Sequence, residues 1–207
     1  MIGSARFDPD HAALVIIDVQ NDFCHQDGLQ GQQGRDLSRV DMVVGRIAKL
    51  AECARAAKVP VVLAYTTHAP DVDSDEWLAR RGAPDLKQNC SQGSWGARLY
   101  RVEAEESDLL VEKHRYSIFS SPALASQLKL MGRNSLMFCG YTSNACVETS
   151  LRDAVCLDFL ATFVEDCCDA YSQDAHRRAI CDVAEDFGLV ATSTEIADFW
   201  DRGRPDV

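Results

Sequence analysis

Short apolar segments that alternate with amphipathic ones are the feature of this chain that most limits its fold. The apolar segments are six to eight residues long, and they read AALVIID (12–18), VPVVLAYT (59–66), DLLVEK (108–113), SLMFCG (135–140), FLATFVED (159–166) and LVATST (189–194). Runs of this kind are typical of strands buried on both faces of a parallel sheet. The alternation predicts an α/β fold with a mainly parallel sheet of about six strands and helices on both faces. Strand order stays open.

Helix boundaries are predicted from end signals in the amphipathic segments. A capping-box pattern at 38–41 predicts the start of one helix, and Ser121 as cap with Pro122 after it predicts another, which Gly132 ends. Further helices are predicted at about 144–157, 174–187 and 195–200. The segment 67–107 is polar and irregular, and loops of such length in compact domains tend to be functional.

Composition excludes several classes of partner. The chain has 207 residues with no internal repeat or composition break, so we expect one domain over 1–207. Its formal net charge of −11 disfavours nucleic acid and anionic membrane surfaces, because phosphates bind clustered Lys and Arg. No apolar run approaches the roughly 18 residues that a membrane span needs. The partner expected is a small molecule.

The cysteines indicate a reducing compartment. The sequence contains nine of them, an odd number, without a C-x-x-C pair. The first residues, MIGSARFDPDHA, contain no apolar segment of the kind found in a secretion signal. We therefore expect a cytoplasmic protein with reduced thiols, most of which serve as small apolar side chains.

Three residues with useful chemistry lie at predicted strand ends. Asp18 ends the first strand, Lys113 ends the third, and Cys146 follows the fourth on the first turn of a helix. Singly, each has a structural interpretation: a loop cap, a solvated strand end and a core thiol. Because parallel strands end at one edge of a sheet, together they form a candidate site with a nucleophile, a base and a cation. The helix start and the Lys charge favour a thiolate, whereas the Asp charge opposes it but can accept the proton.

Three sequence blocks carry a family resemblance. ALVIIDVQNDFC (13–24), VEKHRYSIF (111–119) and CGYTSNACVETS (139–150) occur in the order and spacing of the isochorismatase-like cysteine hydrolases. That superfamily includes isochorismatases, nicotinamidases, N-carbamoylsarcosine amidases, ureidoacrylate amidohydrolases and biuret hydrolases. The resemblance extends from about Ala12 to Val190.

The resemblance implies a fold and a site. The fold would be a Rossmann-like three-layer α/β/α sandwich. Asp18, Lys113 and Cys146 match the catalytic triad of the family. The peptide bond before Thr142 matches the family's cis bond, and the backbone amides of Thr142 and Cys146 would form an oxyanion hole. Such hydrolases usually assemble, so we expect a homo-oligomer, a dimer or a tetramer, in which Trp77 and Trp95 of the irregular segment could cover a neighbouring subunit.

The chain departs from the metal-dependent members of the superfamily. Nicotinamidases have an Asp-x-His metal motif after the second strand, where this chain reads YTTHAPDVD (65–73), with Thr66 in place of the Asp. A lone His68 is more often a loop residue than a ligand. We therefore expect no catalytic metal and no cofactor.

Candidate substrate-binding residues are less well defined by the sequence. They are Phe23, Trp95, Arg115, Tyr116 and Tyr141. Aromatic side chains can stack on a planar ligand and Arg115 can bind a carboxylate, but core packing and a structural ion pair are equally good interpretations.

The expected function is cysteine-dependent hydrolysis of a small amide, ureide or carbamoyl compound with release of ammonia. One alternative is hydrolysis of a vinyl ether, as in isochorismatases, for which the cysteine is dispensable. Another, from a different class, is a non-catalytic binding or thiol-redox protein on the same fold.

Overall fold

The computed structural model describes residues 4–80 and 89–202. The strands are β1 (Ala12–Ile17), β2 (Val61–Thr66), β3 (Leu109–Lys113), β4 (Ser135–Tyr141), β5 (Leu160–Asp169) and β6 (Leu189–Ala191). The α-helices in this part of the chain are α1 (Asn21–Cys24), α2 (Leu29–Gln32), α3 (Val40–Ala56), α4 (Asp75–Ala79), α5 (Ala123–Leu130), α6 (Glu148–Cys156), α7 (Gln173–Asp182) and α8 (Ser193–Asp201). Short 3₁₀ turns occupy Ser4–Phe7 and Ile118–Ser120, and π turns occupy Ser143–Val147 and Val183–Phe187.

The strands form one six-stranded parallel sheet in the order β3-β2-β1-β4-β5-β6. The chain starts at the centre with β1, moves outward to β3, then returns beside β1 and moves outward to β6 in the other direction. The reversal lies between β1 and β4, and in open parallel sheets a crevice forms at this point beyond the carboxyl ends of the strands. The predicted fold class is confirmed. The strand order, which the sequence left open, places Asp18 after β1 and residues 142–146 after β4 on either side of this crevice.

Helices cover both faces of the sheet. α3 and α8 pack against each other and against β5, while α6 and α7 pack on β5 from the opposite face, as right-handed crossovers require. All residues of β1 and of β4 are buried, which explains why their sequences are continuously apolar and do not alternate. None of the helices in the described residues is long and apolar enough to cross a membrane.

Several predicted helix ends differ in detail. The capping box at 38–41 is wrong: Arg39 occupies the cap position of α3 without a side-chain bond. The Ser121 side chain likewise does not cap α5, because Pro122 takes that position, although Gly132 has the predicted left-handed conformation (φ 72°) after the helix. The helices predicted at 144–157 and 174–187 exist, but the first begins and the second ends with a π turn. All nine cysteines fall in the described residues, and all are free thiols.

Candidate active site

The floor of the site lies where three neighbouring strands end. Asp18 follows β1, Thr66 is the last residue of β2, and Lys113 is the last residue of β3, opposite Thr66 in the register. The side chains of Asp18 and Lys113 are both 0% exposed, and Lys113 Nζ lies 2.8 Å from Asp18 Oδ2. The sheet order therefore buries an ion pair at the base of the crevice.

The Thr66 hydroxyl joins this pair. It accepts from Lys113 Nζ at 2.6 Å and donates to Asp18 Oδ1 at 2.9 Å. The third donor of the ammonium goes to the Arg115 carbonyl oxygen at 3.1 Å, so all three Lys113 N–H groups are used. Buried Gln20 fixes Thr66 through its backbone, accepting from Thr66 N and donating to Thr66 O, both at 2.8 Å. This network holds the two charges in one geometry.

The charge of Lys113 depends on its neighbours. Burial is the largest single influence and lowers the pKa of Lys113, but the Asp18 carboxylate and the Cys146 sulfur together outweigh it and hold that pKa above its usual value. Lys113 is therefore a fixed cation at neutral pH. Removing one partner of such a pair leaves an uncompensated buried charge, which is far more destabilising than losing both.

Cys146 is brought to this floor by the end of β4 and the turn that follows. Gly140 has φ 125°, and a Cβ there would lie 2.0 Å from the Ile17 carbonyl oxygen, so β4 can approach β1 this closely only at a glycine. The Tyr141–Thr142 peptide bond is cis, as the resemblance implies. The π turn Ser143–Val147 then leads into α6 and places the Cys146 thiol beside the side chains of Asp18 and Lys113.

The sequence indicated opposing influences on the Cys146 thiol, and its surroundings in the structure show which of them is larger. Burial raises the pKa of Cys146, the Asp18 charge raises it further, and the Lys113 ammonium lowers it by less. The helix start and the lysine therefore do not make a standing thiolate. A thiol that is protonated at rest can act as a nucleophile only by losing that proton, and the adjacent Asp18 carboxylate is placed to accept it.

A cavity of about 360 Å³ opens above Cys146, a volume that suits a small molecule. One wall carries Phe23 and Tyr171, whose hydroxyl donates to the Phe23 carbonyl oxygen at 3.0 Å. The other wall carries Trp77, which lies edge-on to Tyr116 with ring centroids 5.1 Å apart. Trp77 thus lines the cavity of its own chain, and the homo-oligomer stays a prediction.

The structure brings some predicted substrate residues to the cavity and not others. Phe23, Arg115 and Tyr116 line it. Trp95 does not, because Asn21 Nδ2 holds its carbonyl oxygen at 2.8 Å and its ring lies edge-on to His25 at 5.0 Å, 45% exposed. Tyr141 does not either: it is buried in β4, with its hydroxyl 3.4 Å from Asp169 Oδ2. Trp95 and Tyr141 are therefore omitted from the substrate site.

Sequence reasoning missed several site residues. Thr66 had been considered only as a missing metal ligand, although its place at a strand end beside Asp18 was available as a signal. Arg35 and Arg80 line the cavity from loops that have no periodic pattern. His176 of α7 was also missed. Its Nδ1 lies 3.1 Å from Ser143 Oγ, and this contact braces the turn before Cys146.

The donor set does not fit a metal ion. The Thr66 hydroxyl is committed to Asp18 and Lys113, and His68 Nδ1 lies 2.7 Å from Asp73 Oδ1 while its ring stacks on Trp77. Within residues 4–80 and 89–202, no three His, Cys, Asp or Glu side chains come together in a group able to hold one. His114, next to Lys113 in sequence, points away and contacts the Thr67 carbonyl oxygen through Nδ1 at 2.9 Å.

Known structures share this architecture. A cysteine hydrolase from Pseudomonas syringae pv. phaseolicola superposes with a TM-score of 0.84 over 94% of each chain, at 23% sequence identity. A pyrazinamidase from Pyrococcus horikoshii in complex with zinc superposes with a TM-score of 0.74 over 88% of this chain and 99% of its own, at 20% identity. This chain therefore shares the α/β fold of both structures.

Sequence comparison gives the family. The model of the Isochorismatase domain matches residues 12–195, so the chain belongs to the isochorismatase family of hydrolases. Among curated proteins, the chain is 30% identical to the ureidoacrylate amidohydrolase RutB of Agrobacterium fabrum, over 95% of this chain and 93% of the relative. It is 31% identical to the RutB protein of Azorhizobium caulinodans, over 92% and 89% of the two chains.

Proposed function

We propose that this protein is a cysteine-dependent amidohydrolase that cleaves a small ureide or carbamoyl amide and releases ammonia. The observation that carries the proposal is the buried Asp18–Lys113 pair directly beneath the Cys146 thiol, at the floor of a cavity of small-molecule size. A buried ion pair adds little to stability compared with an apolar core. Its position beside a thiol is better explained by a role in proton transfer and charge stabilisation.

The first half of the proposed reaction forms a covalent intermediate. Cys146 Sγ attacks the carbonyl carbon of the substrate while its proton moves to Asp18. Lys113 stays charged and offsets the negative charge that moves between the carboxylate, the sulfur and the substrate oxygen. The backbone N–H groups of Thr142 and Cys146 are the proposed donors to that oxygen. Asp18 then passes its proton to the leaving nitrogen, and ammonia departs.

The second half regenerates the thiol. The intermediate is a thioester, or a thiocarbamate where the substrate is a ureide. Water attacks its carbonyl carbon as Asp18 takes a proton, and the C–S bond breaks as that proton returns to the sulfur. The same three residues thus act twice, and each proton that Asp18 accepts is returned. No metal enters the scheme, and activity is expected to survive exhaustive chelation.

The curated relatives support the choice of substrate class. Both carry the name ureidoacrylate amidohydrolase, and ureidoacrylate is a ureide. The main alternative is hydrolysis of a vinyl ether, as in isochorismatases. That reaction gives a different product and does not depend on the thiol, so an assay of products in wild type and a cysteine variant distinguishes the two functions.

The test is a screen of ureides and carbamoyl amides for ammonia release, run beside isochorismate with detection of pyruvate. Ammonia from a ureide, lost in Cys146→Ala, is the expected outcome. Pyruvate release that persists in Cys146→Ala would replace the amidase proposal with vinyl-ether hydrolysis. An absence of turnover with every compound, in a protein whose Cys146 a bound ureide still protects from alkylation, would favour the non-catalytic alternative.

A further inference from the structure

The charge of the cavity is opposite to that of the chain. The chain has 32 acidic and 21 basic residues, a formal net charge of −11. The described residues that line the cavity nevertheless include three arginines, Arg35, Arg80 and Arg115, and no Asp or Glu. The Asp18–Lys113 pair beneath is internally compensated. The protein as a whole has an excess of acidic residues, whereas the described lining of this cavity has arginines and no carboxylate. Such a cavity is suited to an anion.

Arg115 is not the arginine that is available to a ligand. Its guanidinium donates to the carbonyl oxygens of His114 at 2.7 Å and Val72 at 3.1 Å. It also lies 3.7 Å from the buried carboxylate of Asp73, which offsets its charge. Of the two interpretations of Arg115 that the sequence left open, the contacts favour the structural ion pair, in which Arg115 holds the segment after β2 against the end of β3.

Arg35 and Arg80 are differently placed. Neither forms an ion pair with any carboxylate in the part of the chain that the structure describes, and both are exposed to solvent. Arg80 lies flat against Trp77, with its guanidinium carbon 3.5 Å from the ring centroid, and Arg35 lies 5.9 Å from the centroid of Tyr171. Arg80 Nε donates to the Tyr116 hydroxyl at 3.4 Å and its Nη1 donates to the Trp77 carbonyl oxygen, both of which are uncharged acceptors. Stacking fixes the plane of a guanidinium through its face, and the remaining edge N–H groups can meet a planar anion.

We propose that Arg35 and Arg80 recognise a carboxylate on the substrate, so that this cavity takes anionic ureido acids in preference to neutral ureides. The inference rests on the proposed function for the identity of the ureide group, which must reach Cys146. The two arginines come from separate elements, the loop after α2 and the end of α4, so they approach the ligand from two walls. They bind and orient the substrate, and they take no part in proton transfer.

The experiment compares 3-ureidopropionate with N-(3-methylbutyl)urea. In the second compound an uncharged isopropyl group of similar size replaces the carboxylate. Protection of Cys146 from the neutral reagent iodoacetamide, read by mass spectrometry, measures binding without requiring turnover. The carboxylate is expected to protect at a concentration about tenfold or more below that of the isostere, because charge-assisted bonds to Arg are among the stronger polar contacts. Arg35→Gln and Arg80→Gln should each remove most of that preference. Added salt should weaken it.

The matched control is Arg101→Gln, which removes the same charge from an exposed arginine that pairs with Asp41 away from the cavity. It should leave the preference unchanged. Equal protection by the two ligands, or a preference that both cavity variants retain, overturns the inference. Arginine-dependent protection without ammonia release would keep the anion site and reject the proposed hydrolysis. Ammonia release from both compounds with equal kcat/KM would support the proposed hydrolysis and reject the anion site.

Discussion

The floor and the walls of the cavity are built by different means. The floor consists of Asp18, Thr66 and Lys113, three buried residues at the ends of neighbouring strands. The walls carry Arg35 and Arg80 on exposed segments outside the sheet. Side chains at strand ends are held by the sheet register and by each other, whereas side chains on loops are held by local stacking.

From this difference we expect the floor to carry the chemistry and the walls to select the substrate. A rigid, dry floor suits groups that exchange a proton with any carbonyl compound bound there. An exposed wall suits groups that only need to attract and orient the remainder of the substrate. Substitutions on the floor should therefore change kcat for every substrate, and substitutions on the walls should change KM for charged substrates alone. The following predictions test that division.

The largest effect is expected at the nucleophile. Cys146→Ala should lower kcat for amide hydrolysis by at least about 10⁴-fold, because the covalent route is lost. The free energy of unfolding should change by less than about 1 kcal/mol, since only a small side chain at the cavity is removed. Cys156→Ala, at the exposed end of α6, is the control and should keep wild-type kcat. Ammonia release near the wild-type rate in Cys146→Ala would break the distinction between floor and walls.

The next effect concerns the stability of the ion pair. Lys113→Met should lower the free energy of unfolding by about 3–5 kcal/mol, because the fully buried Asp18 carboxylate loses its counter-charge. Urea denaturation measures this difference. Adding Asp18→Asn to Lys113→Met should restore part of the loss, as no unpaired charge remains. If the two losses simply add, the residues are not coupled, and the floor is not one unit.

A smaller effect is expected at Thr66. Thr66→Val should cost about 1–3 kcal/mol of unfolding free energy and lower kcat, because it removes one bond to Asp18 and one from Lys113. Thr162→Val is a matched control, since Thr162 Oγ1 is buried in β5 with no partner among the described residues. That control should be neutral or stabilising. Similar losses for the two threonines would mean that the Thr66 bonds contribute nothing.

The smallest effect is a pH dependence of stability. Burial lowers the pKa of His176, and nearby Arg39 lowers it further, although Asp169 acts in the opposite direction. As pH falls below about 6.5, the unfolded chain takes up this proton before the folded one, so the His176 contribution is complete above that pH and is lost below it. Denaturation at pH 5 and pH 7.5 should show a smaller pH difference for His176→Gln than for wild type. An unchanged difference would contradict this placement of the histidine.

Asp18 and Lys113 of the floor could be predicted from the sequence because they lie at the ends of apolar segments. A parallel sheet brings strand ends to one edge whatever the strand order, so Asp18 and Lys113 could be assigned to one site before the order was known. Thr66 was missed because a threonine at a strand end has no distinctive chemistry until its partners are placed. Its bonds to Asp18 and Lys113 depend on β2 lying between β1 and β3, which no single sequence reveals.

The residues of the walls could not be predicted from the sequence because they lie on loops. The direction of a loop is set by bonds to distant residues, and no spacing in the sequence encodes such bonds. Trp95 was assigned to the substrate site, but Asn21 and its own turn direct it to another surface. Arg80 was not assigned, and its stacking on Trp77 brings it to the cavity. The length and the polar, irregular sequence of 67–107 identified this segment as relevant, without identifying which of its residues face the ligand.

The measurement that tests the central claim most directly is the alkylation rate of Cys146 against pH in wild type, Asp18→Asn and Lys113→Met, with the modified residue identified by mass spectrometry. Asp18 raises and Lys113 lowers the pKa of this thiol. Asp18→Asn should therefore shift the profile to lower pH while abolishing ammonia release, and Lys113→Met should shift it to higher pH and slow acylation. Opposed shifts of this kind are the result that one coupled site predicts. Profiles that coincide in all three proteins would show that Asp18, Lys113 and Cys146 do not act together, and would contradict the account.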